Sequence, residues 1–216
     1  GECPNTSVTE ACFMSPMCRN LRIAVCALVC AATARPSAGG EHRLVDAVRN
    51  GDRHGVERLL RQRVDVNGTG PDGSTALLLA AERNDRTMAE ALLRAGARAD
   101  AANDYGITPM WMACGNASAP MARALLNAGA SAKTTLPSGE TLLMTAARTG
   151  DVEVVRMLAA KGADVNAQES IRGQTALMWA VSEHHAGVVQ ALVELGAAVS
   201  ARTRSGFSPL LFAARE

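Results

Sequence analysis

Residues 139–166 read GETLLMTAARTGDVEVVRMLAAKGADVN, and this stretch decides the fold. Gly139 closes a turn, where a positive φ costs glycine nothing. Thr141 follows as an N-cap, its hydroxyl placed to accept a free amide of the first helical turn. A short apolar helix then runs to Ala146-Ala147, whose small side chains let a second helix approach closely, and Gly150 breaks it. The next helix sets Val154, Val155 and Leu158 at helical spacing, giving one apolar stripe. Gly162 stops it as a left-handed C-cap, and Asp164-Val165-Asn166 leads back into another turn.

The same pattern recurs on both sides. Gly73-Ser74-Thr75-Ala76-Leu77, Gly106-Ile107-Thr108-Pro109-Met110 and Gly139-Glu140-Thr141-Leu142-Leu143 stand 33 residues apart. Gly173-Gln174-Thr175-Ala176-Leu177 follows after 34, and Gly206-Phe207-Ser208-Pro209-Leu210 after 33 more. A second marker keeps step: Gly96-Ala97, Gly129-Ala130, Gly162-Ala163 and Gly196-Ala197, each preceded at four residues by a leucine (Leu92, Leu125, Leu158, Leu192). Two independent markers in phase define an internal repeat. Units fall at about 70–102, 103–135, 136–169 and 170–202, with an incomplete unit at 203–216. Pro109 and Pro209 occupy the first helical position, where a missing N–H is harmless. The break between helices is Gly51, Asn84 or Gly150, with Ala117 and His184 as departures.

These units resemble ankyrin repeats. The family's opening signature T-P-L-H-x-A stands here as TALLLA, TPMWMA, TLLMTA, TALMWA and SPLLFA, and its G-A-D-V-N is intact at Gly162 to Asn166. The resemblance covers residue 42 to the end and implies an all-α solenoid of 33-residue helix-turn-helix units joined by β-turn or hairpin loops, a domain of residues 41–216. In the family the signature histidine hydrogen-bonds between neighbouring turns. Here Leu78, Trp111, Met144, Met178 and Leu211 replace it, so the turns are expected to be less tightly tied. Residues 42–67 keep the phase but lack the turn and the T-P opening, as expected of an N-terminal capping unit with a polar outer face. At the other end the chain stops one helix into a further unit, leaving Phe207, Leu210, Leu211 and Phe212 without the second helix that covers them elsewhere. That arrangement is expected of a fragment of a longer array.

Residues 1–40 read differently. Five of the six cysteines (Cys3, Cys12, Cys18, Cys26, Cys30) lie there, at spacings of 9, 6, 8 and 4 that match no zinc pattern. Arg19 and Arg22 precede the apolar run Ile23–Ala34, which ends in the small-x-small exit Ala32-Thr33-Ala34. Together residues 17–34 read as a secretory signal peptide followed by a linker, placing the mature chain in the periplasm or outside the cell. The alternative is an apolar helix that is never cleaved, and a cytoplasmic protein. Lipidation of Cys30 is disfavoured because Val29 is not small, and twelve apolar residues fall short of the roughly 20 a membrane span needs.

Composition narrows the function. The 216 residues are 48% hydrophobic, 20% charged and only 3% aromatic, with net charge +1. Near-neutrality supplies no electrostatic footprint for nucleic acid. A core of Ala, Leu and Val without rings fits thin helical layers better than a deep ligand pocket. No G-x-S-x-G in a strand-turn-helix context, P-loop or H-E-x-x-H occurs, so no enzyme constellation is present and no cofactor is implied. Cys114 occupies the small-residue slot of Ala81 and Ala147, which favours packing over nucleophilic chemistry. His184 and His185 lack a third ligand nearby, which argues against a metal.

The resemblance therefore implies a non-catalytic scaffold that binds a partner protein, with no small-molecule substrate, through the concave face. Its binding positions, turn tips and ends of first helices, map here to Asp72, Ser74, Asp104, Tyr105, Ile107, Ser138, Glu140, Arg172, Gln174, Arg204 and Phe207 in the turns. At helix ends they are Arg83, Asn116, Arg148 and Glu183. Tyr105, Ile107 and Phe207 are the best anchors, since apolar groups on turn tips reduce solubility and aromatic groups often carry interface energy. Acidic tips come early (Asp72, Glu82, Asp104) and basic ones late (Arg148, Arg172, Arg204), which predicts a partner of reversed polarity along its length. The alternative is a targeting or regulatory segment of a larger polypeptide whose enzymatic domain lies elsewhere.

Overall fold

The structure, a computed structural model, describes residues 41–214. The expected signal peptide at 17–34 and its linker lie outside the described residues. Among the described residues eleven helices follow one another: α1 Glu41–Arg49, α2 Arg53–Arg61, α3 Ala76–Glu82, α4 Arg86–Arg94, α5 Pro109–Gly115 and α6 Ala119–Asn127. Then come α7 Leu142–Thr149, α8 Val152–Ala160, α9 Ala176–Ser182, α10 Ala186–Glu194 and α11 Pro209–Ala213. Among the described residues no strand forms. Two isolated antiparallel bridges, Thr69 with Thr75 and Thr135 with Thr141, are all that the turns contribute in that direction.

Helices of five to nine residues are too short to persist alone, so each depends on its caps and its neighbours. The first helix of every full unit starts at an extended Thr whose Oγ1 accepts the amide three residues on: Thr75 from Leu78, Thr108 from Trp111, Thr141 from Met144 and Thr175 from Met178. Ser208 does the same for Leu211 at α11. Three second helices open on aspartate, with Asp52, Asp85 and Asp151 accepting from Gly55, Met88 and Val154. Ser118 and His185 stand at the same place without a capping bond from their side chains.

First helices stack in one layer, α1 on α3, α5, α7, α9 and α11 in turn. Second helices α4, α6, α8 and α10 stack in the other. Where the layers meet, Ala80, Ala81, Ala113, Cys114, Ala146, Ala147 and Ala180 are fully buried. A larger side chain in those slots would push the layers apart, which accounts for the alanine excess and the shortage of rings. The reversals between helices need left-handed backbone. Gly51 and Gly150 supply it freely, whereas Asn84, Ala117 and His184 hold φ of 53°, 49° and 59°. The final helix is bare on one side, with Leu210 75% and Leu211 48% exposed.

The expectation of loosely tied turns is offset by other links. Leu78, Trp111, Met144 and Met178 pack into the core. Between units, main-chain bonds join successive turns directly: Asp104 N–H to Asp72 O at 3.2 Å, Ser170 N–H to Ser138 O at 2.8 Å and Arg204 N–H to Arg172 O at 2.9 Å. Pro137 stands at the equivalent place in the third turn and has no N–H to give.

Candidate protein-binding face

The turns position the candidate residues. Each turn is closed by a main-chain amide donating to a carbonyl four residues on: Gly70 to Ser74, Asn103 to Ile107, Leu136 to Glu140 and Thr203 to Phe207. In the fourth turn the partner is five residues away, Glu169 to Gln174, and this locates the extra residue of the 34-residue step. A side chain just inside each turn satisfies its free amides. Asn103 Oδ1 accepts from Tyr105 and Ile107, Thr203 Oγ1 from Phe207, and Asp72 Oδ1 from Ser74.

Glu169 performs this task for the enlarged turn. Glu169 is a buried residue, and its carboxylate accepts from the amides of Ile171, Arg172 and Gln174 at 2.6, 2.7 and 3.0 Å. Burial alone would raise its pKa, but these amides favour the charged form more strongly and hold the carboxyl below the usual range. The extra residue leaves Ile171 at the tip, 69% exposed. Residue types alone did not single out Ile171; the single 34-residue step was the signal that could have found it.

Several expected contact residues are occupied by the scaffold itself. Ser74 is buried, and its hydroxyl donates to Asp72 Oδ2 at 2.7 Å, so it is a turn residue and cannot reach a partner. That hydroxyl is also the main reason the Asp72 carboxyl lies below its ordinary pKa. Ile107 is half-buried and packs against the core, which removes it as an exposed anchor. At the helix ends, Arg83 Nη1 donates to Arg49 O at 2.8 Å, and Asn116 Nδ2 to Ala81 O and Glu82 O at 3.0 Å each. These two side chains cap the preceding unit's last carbonyls. Thr149 does the same for Cys114 O, and His185 Nε2 donates to Arg148 O at 3.0 Å.

The remaining residues are better placed for a partner. Tyr105 is 72% exposed at the tip of the second turn, and Asp104, Arg172 and Arg204 are exposed beside their tips. Glu183 is exposed at the end of α9. Phe207 is 42% exposed, its ring tilted against Phe212 at 6.1 Å. Arg148 lies over the Trp179 ring at 5.2 Å and approaches Glu140 at 4.0 Å. Glu140 also accepts from Thr145 Oγ1, Ser138 Oγ accepts from the Glu140 amide, and Gln174 is half-buried. The Trp179 indole N–H is buried without a partner in this arrangement.

Burial, assisted by the Asp151 charge, pushes the Cys114 thiol up to about 12, so at neutral pH it is neither ionised nor reachable. Among the described residues no group of His, Cys, Asp and Glu is arranged to hold a metal ion. A shallow groove of about 370 Å³ on the outer helices is lined by Arg86, Glu90, Arg123 and Glu153, but these charges already pair as Arg86–Glu90 and Arg123–Glu153. No helix among the described residues is long and apolar enough to cross a membrane.

Comparison with curated proteins finds no match. A family model does match: ankyrin repeats, in three copies over residues 44–135, 83–169 and 143–216. Repeats of this family are generally protein–protein interaction modules and typically non-catalytic. The phased turns, the threonine caps, the alanine-lined layers and that match lead to one conclusion: this chain belongs to the ankyrin-repeat family.

Proposed function

We propose that the chain is a non-catalytic scaffold that captures a partner protein across its row of turn tips and the adjoining ends of its first helices. The observation that carries this reading is the exposure of Tyr105 and Ile171, 72% and 69%, on tips held by bonded turns. Neither side chain stabilises the fold from there, and both present apolar area in a fixed position, which reduces the entropy lost on binding. Export under the direction of residues 17–34 belongs to the same proposal, and intact mass of the secreted product reads it directly.

A crosslinking pull-down from the native host tests the face. The bait is the full chain, beside a variant with Asp104, Tyr105, Arg172 and Phe207 changed to alanine and a second with outer-helix Arg123 and Arg156 changed to alanine. A partner lost only from the tip variant is the expected result. A partner that survives in the tip variant and disappears with the outer-helix changes overturns the reading.

A further inference from the structure

Resting on that binding-face reading, we infer that the fourth and fifth turns form an acceptor site for an acidic protein segment that carries an apolar side chain. The two turns are one surface. Arg204 N–H donates to Arg172 O at 2.9 Å, and Gly173, at φ 70°, lets the turns approach: a Cβ there would be strained and would sit a tight 3.3 Å from the Arg204 nitrogen. Two arginines are thereby set side by side, with Ile171 at one end and Phe207 at the other.

The charge on this surface is unspent. Among the described residues neither Arg172 nor Arg204 has an ion pair, and Glu169, three residues before Arg172, is turned inward onto three amides of its own turn. Asp72, at the acidic end of the tip row, differs: both its oxygens are engaged by Ser74. Within the tip row, then, Asp72 is satisfied inside its own turn, whereas Arg172 and Arg204 have no ion pair. Like charges held side by side invite a carboxylate-rich ligand, with the greatest effect at low salt.

The apolar component is equally local. The extra residue of the fourth turn raises Ile171 to 69% exposure next to Arg172. A nucleic-acid strand fits this surface less well. Asp72 and Asp104 on the same row would repel a phosphate backbone following the tips. A carboxylate-bearing segment with one aliphatic or aromatic residue satisfies both components.

Panning a random 12-residue peptide display library against the full chain tests the inference. Enriched peptides are then synthesised and titrated by fluorescence anisotropy against wild type, Arg172→Glu/Arg204→Glu, Arg172→Gln/Arg204→Gln and Ile171→Ser. All these side chains are exposed, and circular dichroism of each variant reports that the fold is kept. The expected consensus joins Asp or Glu to an apolar residue. Double charge reversal should weaken it by about tenfold or more at low salt and by less at high salt. The glutamine pair should fall between, and Ile171→Ser should cost about fivefold at any salt. A consensus of other chemistry, or one indifferent to these variants but lost on Tyr105→Ser, overturns this inference and leaves the binding-face reading standing. No enrichment at all overturns both. A 20-nucleotide oligothymidine that binds more tightly than the peptides and is lost on charge reversal assigns the surface to nucleic acid and overturns the inference.

Discussion

Arg63 holds φ of 55° at the position where later units carry Gly96, Gly129, Gly162 and Gly196, all with φ between 84° and 93°. An L-residue in this region crowds its Cβ against the backbone, a cost glycine does not bear. Arg63 is exposed and makes no bond that its removal would forfeit. Arg63→Gly should therefore stabilise the protein by about 1 kcal/mol, read as a shift of the urea midpoint at unchanged slope. An unchanged or lower midpoint would mean that the capping unit relaxes the strain in another way. Asn84, Ala117 and His184 show the same geometry elsewhere. A polar Asn bears it with least cost, so residue identity at these breaks is a graded choice.

At the scale of an element, the fourth turn shows how an insertion is accommodated. One added residue leaves extra main-chain amides without carbonyl partners, and Glu169 collects them on a single carboxylate. Its folded pKa is held below its ordinary value of 4.5, so its contribution to stability is present in full above that value. The contribution is lost as pH falls through the lower folded value. The stability gap between wild type and Glu169→Gln should accordingly be about 1 kcal/mol near neutrality and close as the solution is acidified. Chemical denaturation at a series of pH values measures it; a gap that stays constant or widens in acid would contradict this assignment.

Across the whole molecule the units are not joined equally. The capping unit is held to the next by Asn67, whose side chain donates to Gly96 O and accepts from Arg98 N–H. Asn166 repeats this clamp with Gly196 and Ala198, and Asp100 makes half of it with Ser131. The residue in register between the second and third full units is Lys133, which has no acceptor and lies over Gly162. The tip bond is missing at the same junction, because Pro137 has no N–H. What remains beside the packing is Thr149 to Cys114 O and the exposed Arg123–Glu153 pair. In a linear array stability is close to a sum of units and nearest-neighbour terms, so the weakest junction sets where it divides. Hydrogen exchange under mild denaturant should show residues 136–214 opening as a block separate from 43–135. Lys133→Asn should restore the clamp and merge the two, and exchange that is uniform in the wild type would refute the division. The same junction separates the acidic tips from the basic ones.

The sequence by itself determined the repeat, the helix caps, the stacking of small side chains and the exposure of Tyr105, because these follow from local propensity and a fixed period. Thr75, Thr108, Thr141 and Thr175 could be read as caps without knowing their neighbours, since the amides they bind are three residues away. Tertiary structure decided which surface residues remain available. Asn116 and Arg83 look like contact residues in the chain, but their bonding partners lie 34 or 35 residues earlier. Ser74 is hidden by packing, and Ile171 is raised by an insertion whose position only the turn hydrogen bonds reveal. A repeat states its own unit locally, whereas the junction between units is a contact at long range, and availability for binding is settled at that junction.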